Sequence, residues 1–279
     1  MIRPLLERIT PPTLLVSAVP IYFRRTSAIN DERLSINVKE TRNAGGSLFN
    51  LRLAATKHWF AEVTTGLETD SARFAGTTQL YASRTGFDDV VFEAGYRHFF
   101  GQNIQCILYA LGGIPTRRKV TLDDRFGPLV GTRFYNIGLG FEGSYSLISE
   151  LEHSLSTILQ TRFIHAFDRR WTPVLPPEAT IKPGNFTDIL FLVQYRKKRT
   201  VFETGYDATI FSQQGTNLPD EKIRIPTFGR HSWFASVKHG IFQTWIGKLF
   251  VFGAGLNVSK TKRFDAKTVS AWVFGTIVF

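Results

Sequence analysis

Charged side chains recur at every second position of several strand-like segments, where they could attract ions, conduct them or pair with one another. Between 88 and 99, for example, Phe92, Ala94 and Tyr96 alternate with Glu93 and Arg97. A period of two is typical of a strand whose two faces meet different surroundings. The charged members of this polar face are Arg52, Glu62, Glu93, Arg97, Glu142, Arg162, Arg196, Glu203, Asp207 and Lys238.

Histidine and serine could instead support hydrolysis, in which a histidine takes the proton of a serine hydroxyl. His231 and Ser232 are neighbours in a strand-like segment, so their side chains should point to opposite faces. His98, His165 and His239 fall near segment ends, which favours histidines at a boundary between apolar and polar surroundings. We predict no catalytic residue, and we keep a set assembled across several strands as an alternative.

The sequence predicts no metal site and no cofactor. The pairs Asp123-Asp124 and Asp220-Glu221 stand in loop-like stretches without the spacing of a calcium-binding loop. Cys106 is the single cysteine, which excludes an intramolecular disulfide and a cysteine-rich metal site. The glycine-rich segment 138–143 lies within an alternating strand, which argues against a nucleotide-binding loop.

The composition favours strands over helices. Of 279 residues, 14% are aromatic and 25 are phenylalanine, and no apolar run approaches the roughly 18 residues of a membrane-spanning helix. The formal net charge of +11 predicts attraction to anions. Neither zinc-finger spacing nor a basic helical stripe accompanies this charge, so we expect no nucleic-acid partner.

The alternating pattern divides the chain into about twelve strands joined by connections of alternating length. Short turns are predicted at Lys57-His58, Gly101–Asn103 and Lys197–Arg199, and long loops at 26–46 and at the proline-rich stretch 167–186. The connection before the last strand is brief where a long one should come. The predicted strands are 13–25, 47–56, 59–68, 88–99, 104–114, 132–145, 154–166, 187–196, 200–211, 227–240, 247–259 and 266–279, with a tail at 1–12.

The final segment carries apolar residues at alternate positions, Ala271, Val273, Ile277 and Phe279, and Gly275 fits the same spacing. In this respect the chain resembles the bacterial outer-membrane β-barrel superfamily. The resemblance implies an all-β fold: one closed, antiparallel, up-and-down transmembrane β-barrel of about twelve strands over residues 13–279. It also implies membrane lipid and the outer-membrane assembly machinery as partners, with Val273, Gly275, Ile277 and Phe279 as the assembly signal.

Three features favour a barrel with its apolar face against lipid and its polar face around a lumen. They are the terminal Phe279, the alternation of short and long connections, and the glycines of the polar face. Aromatic residues also gather near the short turns, as they do at a boundary between lipid and water. No convincing signal peptide precedes the first strand, so we expect a mature form with an added Met1.

The expected function is a passive, porin-like channel for small polar or anionic solutes in the bacterial outer membrane. Arg52, Arg97, Arg162, Arg196 and Lys238 would attract the anions. Two alternatives stay open. One is a membrane-embedded hydrolase that modifies lipids, and the other is a plugged structural or adhesion barrel that acts through its loops.

Overall fold

The computed structural model describes residues 13–31, 36–75, 80–116, 134–150, 152–171, 179–217, 222–225, 227–242, 249–261 and 266–278. Every regular element in these ranges is a β-strand. No helix of the described chain is long and apolar enough to cross a membrane. The predicted tail at 1–12 and the terminal Phe279 lie outside the described residues.

Antiparallel pairing organises the strands into a main sheet of thirteen and a second sheet of four. The second sheet has the order β14-β13-β10-β9. The strands are β1 (Thr13–Asp31), β2 (Ile36–Ala54), β3 (Trp59–Ala75), β4 (Leu80–Phe87), β5 (Val90–Phe100), β6 (Ile104–Ile114), β7 (Asn136–Ser149), β8 (His153–Ala166), β9 (Arg169–Trp171), β10 (Ala179–Lys182), β11 (Asn185–Lys197), β12 (Thr200–Phe211), β13 (Gln214–Asn217), β14 (Lys222–Ile225), β15 (Phe228–Phe242), β16 (Leu249–Thr261) and β17 (Ala266–Val278).

Strands that follow one another in the main sheet are neighbours, and the first strand also meets the last. β1 pairs with β2 on one side and with β17 on the other, and β2 pairs in turn with β3. β4 and β5 both pair with β3, and only Asp88 and Asp89 separate them. Each of the twelve predicted segments overlaps a strand of this sheet, and β4 is the strand that the sequence prediction missed.

The short turns confirm the prediction, whereas the long loops predicted at 26–46 and 69–87 are wrong. Lys198 and Gly101 take positive φ angles of 52° and 66° in tight turns. In place of a loop at 26–46, β1 continues to Asp31 and β2 begins at Ile36. β3 likewise continues to Ala75, and β4 lies within the polar stretch before Phe87. These strand ends carry polar residues on both faces, so their composition is that of a loop.

The stretches 167–186 and 212–226, also predicted as loops, contain the second sheet. β9 follows β8 after two residues, and β13 follows β12 in the same way. Pro183 and Gly184 separate β10 from β11, and Gly184 has a φ of 74°. The other prolines of the stretch, Pro173, Pro176 and Pro177, fall in 172–178, outside the described residues.

The two faces of the main sheet differ in polarity in the sense opposite to that of a water-soluble protein. One face, called here the outer face, exposes large apolar side chains such as Leu108, Leu139 and Trp233, each about two-thirds exposed. The opposite face, called here the inner face, buries polar and charged side chains such as Gln160 and Lys238. In the absence of lipid, the outer face would therefore present large apolar side chains to water.

Aromatic residues are exposed at the end of the sheet that holds the short turns. Trp59 contacts Tyr96 with ring centroids 5.0 Å apart, and His98 contacts Phe100 at 4.4 Å. Trp59, Phe99, Phe100, Tyr145 and Tyr195 are all exposed. This arrangement agrees with the predicted aromatic boundary. Nothing is described of the side chains of Trp245, Phe250 and Phe279, which belong to the same prediction.

Glycines of the inner face give room to aromatic rings from the neighbouring strand. A Cβ atom at Gly140 would collide with the ring of Tyr109, its cross-strand partner. Gly255 and Trp272 form a second such pair, on β16 and β17. Because the rings lie over glycine, they pack closely against the sheet.

Candidate functional site

All the charged residues predicted for the polar face lie on the inner face, and none of them is exposed. Arg52, Glu142, Glu203 and Lys238 are buried, and the other six are half-buried. They fall on eight different strands, because each strand turns every second residue inward. They form local pairs and small networks.

Glu203 is the centre of the most tightly bonded network. Lys238 Nζ donates a hydrogen bond to Glu203 Oε1 at 2.5 Å, and Gln194 Nε2 donates to the same oxygen at 3.0 Å. Ser236 Oγ donates to Oε2 at 2.9 Å. The three partners stand on β11 and β15, the two neighbours of β12. The side chains of Glu203 and Lys238 are only 6% exposed each, so the ion pair is sealed from water.

Two further networks extend the polar groups around the inner face. Gln160 Nε2 donates to the Tyr109 hydroxyl at 2.9 Å and lies 3.5 Å from Glu142 Oε2. A second network, on β2 and β3, contains Asn50, Arg52, Glu62, Thr64 and Phe60. In it, Asn50 Nδ2 donates to Glu62 Oε1 at 2.6 Å and to Thr64 Oγ1 at 2.8 Å. The Arg52 guanidinium lies 4.7 Å from the centre of the Phe60 ring.

Two ion pairs towards the long connections are more exposed to water. Arg162 Nη2 lies 2.8 Å from Asp188 Oδ2, with side-chain exposures of 29% and 13%. Arg230 Nη2 lies 3.8 Å from Asp207 Oδ2, with exposures of 45% and 26%, and donates to Thr209 Oγ1 at 3.0 Å. These charges are therefore partly hydrated.

Several charged residues of the inner face were not among the predicted site residues. Asp188 and Arg230 complete the two pairs above, and Arg42 forms an ion pair with the fully buried Asp70. Arg42 and Asp70 were missed because their segments were predicted as loops. The signal that could have found Asp188 was its register opposite Arg162 on the neighbouring strand.

Arg97 and Arg196 differ from the other cations of the predicted site. The described part of the chain places no carboxylate within ion-pair distance of either guanidinium. Their Nε atoms are buried and have no hydrogen-bond partner in the described part of the chain. The same is true of the Arg162 Nε atom. Both residues stand near short turns, Arg97 on β5 and Arg196 on β11. They are therefore the site cations that no carboxylate of the described chain neutralises in an ion pair.

The inner face also has an apolar sector that the sequence analysis did not assign. Five buried side chains form one cluster, and the half-buried Phe186 packs against it. The signal was present in β6, which contains no charged residue. The cluster shows that polar groups do not surround the interior evenly. Its members are Phe60, Ile107, Tyr109, Leu111 and Ile164.

No hydrolytic site is assembled among the described residues. Ser232 is buried on the inner face, and the neighbouring His231 contacts the Tyr206 hydroxyl, on the opposite face, as predicted. His239 Nδ1 lies 2.9 Å from Thr200 Oγ1, and no histidine ring of the described chain bonds a serine hydroxyl. The same residues contain no group of three or more His, Cys, Asp or Glu side chains that could hold a metal ion.

Comparisons with solved structures identify the fold. The crystal structure of an outer membrane channel from Pseudomonas putida F1 is similar over 100% of both chains, with a TM-score of 0.69 and 13% sequence identity. The transport unit of the autotransporter AIDA-I from Escherichia coli has a TM-score of 0.56 and 10% identity over 94% of this chain and 89% of its own. Neither a protein-family profile nor a curated protein sequence matches the chain. The chain therefore shares its fold with bacterial outer-membrane β-barrels.

Proposed function

We propose that the chain forms a closed β-barrel in a bacterial outer membrane, with its outer face against lipid. The barrel would be twelve strands in circumference, because β4 and β5 both pair with β3 and share one position. The pairing of β1 with both β2 and β17, and of β2 with β3, supports closure. The exposed apolar side chains of the outer face support the membrane location, because so large an apolar surface is unfavourable in water.

Within this barrel we propose a passive channel for small polar solutes that prefers anions. The observation that carries the channel is the partial exposure of the Arg162–Asp188 and Arg230–Asp207 pairs. At these pairs the proposed lumen would be open to water, and a solute that enters it would meet charged groups. The anion preference rests on Arg97 and Arg196, whose charges no carboxylate of the described chain neutralises in an ion pair.

The proposed partners are membrane lipid and the outer-membrane assembly machinery. β17 pairs with β1 and with β16, so it would be the strand that completes the barrel. Val273, Gly275 and Ile277 occupy alternate positions of this strand, and Phe279 follows it. We propose that these four residues form the assembly signal.

A plugged barrel is the second candidate function, and the Glu203 network favours it. Glu203, Lys238 and Arg52 are nearly inaccessible to water, which indicates a narrow or filled interior near the short turns. A barrel closed at this level would act through its connections and not through its lumen.

Single-channel conductance in a planar bilayer under a salt gradient tests the channel. We expect steady conductance and a reversal potential that favours anions. The double variant Arg97→Gln/Arg196→Gln should shift that potential towards cations, whereas Lys57→Gln, at an exposed turn, should leave it unchanged. Conductance that favours cations in the unaltered protein would contradict the anion preference. Silence from inserted protein would contradict the channel and favour the plugged barrel.

A further inference from the structure

The pairing between the first and the last strand of the main sheet is interrupted. Ala18 pairs with Ile277 and Ile21 pairs with Phe274, but Val19 and Pro20 have no paired residue on β17. The same register would place Val19 opposite Thr276 and Pro20 opposite Gly275. We call these four residues the seam gap. Each is paired normally with its other neighbour, β2 or β16, so only the contact between β1 and β17 is affected.

Proline chemistry accounts for the gap. Pro20 has no backbone N–H and cannot donate a ladder hydrogen bond, which is why proline is confined mainly to strand edges and bulges. A second interruption lies on β3, at the point where its pairing passes from β5 to β4. It differs from the seam gap, because there the Asp88 N–H donates to the Gly66 carbonyl at 2.8 Å. Thr65 Oγ1 also donates to the Asp88 carbonyl, at 3.3 Å. That break is bridged by hydrogen bonds.

The wall around the seam gap contains no charge. Residues 13–23 of β1, 268–278 of β17 and 249–259 of β16 include no Asp, Glu, Lys or Arg. Of the other strands in the main sheet, only β6 is equally uncharged. Inward-facing Trp272 and Val251 are apolar, and so are outward-facing Val273 and Leu256. An apolar molecule would meet no charged group on either side of this wall.

We propose that β1 and β17 separate locally at the seam gap, and that small apolar or amphiphilic molecules pass there between the barrel interior and the bilayer. The missing donor of Pro20 lowers the cost of opening at this level, because fewer ladder bonds must break. The uncharged wall lets an apolar molecule cross without desolvating an ion pair. This route rests on the proposed barrel in the outer membrane but does not require ion conduction.

A disulfide across the seam tests the route. Cross-strand partners are close enough for a disulfide, so Ala18→Cys/Ile277→Cys in a Cys106→Ala background should lock β1 to β17. The probe is N-phenylnaphthylamine, an apolar dye whose fluorescence rises when it reaches hydrocarbon. In cells that carry the protein in their outer membrane, we expect the oxidised lock to slow dye entry several-fold and dithiothreitol to restore it.

The matched control locks an uninterrupted pair of neighbours, Val193→Cys/Thr204→Cys on β11 and β12. It should leave dye entry unchanged. Equal dye entry with and without the seam lock, or an equal loss with both locks, would overturn the proposal. A seam lock that lowers ion conductance as strongly as dye entry would also overturn it, since a deformed interior would explain both. Lock-sensitive dye entry without conductance would support the seam route and contradict the channel. Absence of the protein from the outer membrane would overturn both proposals.

Hydrogen exchange gives a second test that does not depend on transport. Successive amides of a strand point to opposite neighbours, so one of the Gly275 and Thr276 amides faces β1 and the other faces β16. We expect the amide that faces β1 to exchange several-fold faster than those of Thr204 and Gly205, which are paired on both sides. Pro20→Ala restores the missing donor and should slow exchange at that amide and dye entry alike. Exchange equal to that of β12, unchanged by Pro20→Ala, would contradict a weakened seam.

Discussion

Two ion pairs near opposite ends of the inner face differ in their exposure to water. Near the short turns, Lys238 and Glu203 form a sealed ion pair in which hydrogen bonds from Gln194 and Ser236 complete the carboxylate. Towards the long connections, the Arg162–Asp188 pair is partly open to water. A charge buried without its partner is costly, whereas a charge that water reaches is not. Loss of one partner from the sealed pair therefore leaves a buried charge, whereas loss of one partner from the open pair leaves a charge that water can reach.

Removing one partner of the sealed pair should give the largest effect. Lys238→Ala leaves the Glu203 carboxylate buried without its cation, and we expect the free energy of unfolding to fall by about 3–5 kcal/mol. Urea unfolding of the refolded protein in lipid vesicles measures this loss. Replacing both partners, as in Lys238→Met/Glu203→Leu, should restore most of the stability, because no buried charge is left. A single variant as stable as the unaltered protein would show that water reaches Glu203.

Removing a neutral donor of the same network should give a smaller loss. Gln194→Leu deletes the hydrogen bond to Glu203 Oε1 but leaves Lys238 in place. Because hydrogen bonds to charged groups contribute about 1.5–3 kcal/mol, we expect a decrease within that range in the same urea titration. Thr204→Val, at an exposed position of β12, is the control and should change little. A larger loss than that of Lys238→Ala would reverse the order of importance assigned to the two donors.

The open pair should contribute little to stability. Arg162→Gln removes the ion pair with Asp188, but both groups are partly hydrated, so we expect a smaller loss than for Lys238→Ala, about 1 kcal/mol. In the proposed channel, single-channel conductance should also change, because this charge would lie where solutes enter. A stability loss comparable to that of Lys238→Ala, without a change in conductance, would remove the distinction between the two ends.

High salt should change the stability effects of the two variants by different amounts, and this is the smallest of the expected effects. At about 1 M salt the screening length falls to about 3 Å, which weakens interactions between groups that solvent reaches. The stability difference between Arg162→Gln and the unaltered protein should shrink under these conditions, and that of Lys238→Ala should stay nearly constant. The measurement is the urea titration repeated at low and high salt. Equal salt dependence of both variants would show equal access of water to both pairs.

The sequence predicted most of the main sheet because the alternation of apolar and polar residues along each strand is visible in the sequence itself. Apolar residues on one face of each strand, such as Phe202 and Tyr206 on β12, can be read without knowing which strands are neighbours. The strand ends beyond the apolar band, as in β4, have no such trace, because both their faces are polar. The four strands of the second sheet were predicted as loops because each has only three or four residues and prolines stand in the same stretches.

The candidate site was predicted as a set of residues but not as pairs. Alternation placed Glu203 and Lys238 on the same face, yet only the register between β12 and β15 brings them together. Arg162 could equally have faced another carboxylate, since nothing local in the chain specifies its partner Asp188. The apolar sector at Ile107, Tyr109 and Leu111 was missed because both faces of β6 are largely apolar, so alternation does not distinguish them.

The rings that lie over glycine make the interior adjustable by paired substitution. Tyr109 occupies the space that a side chain at Gly140 would need, and Trp272 does the same at Gly255. In evolutionary terms, each pair is a single unit of variation. A larger residue in place of the glycine becomes acceptable only when the ring becomes smaller, so the two positions should change together. The width of the interior could thus drift among related chains while its charged residues stay in place.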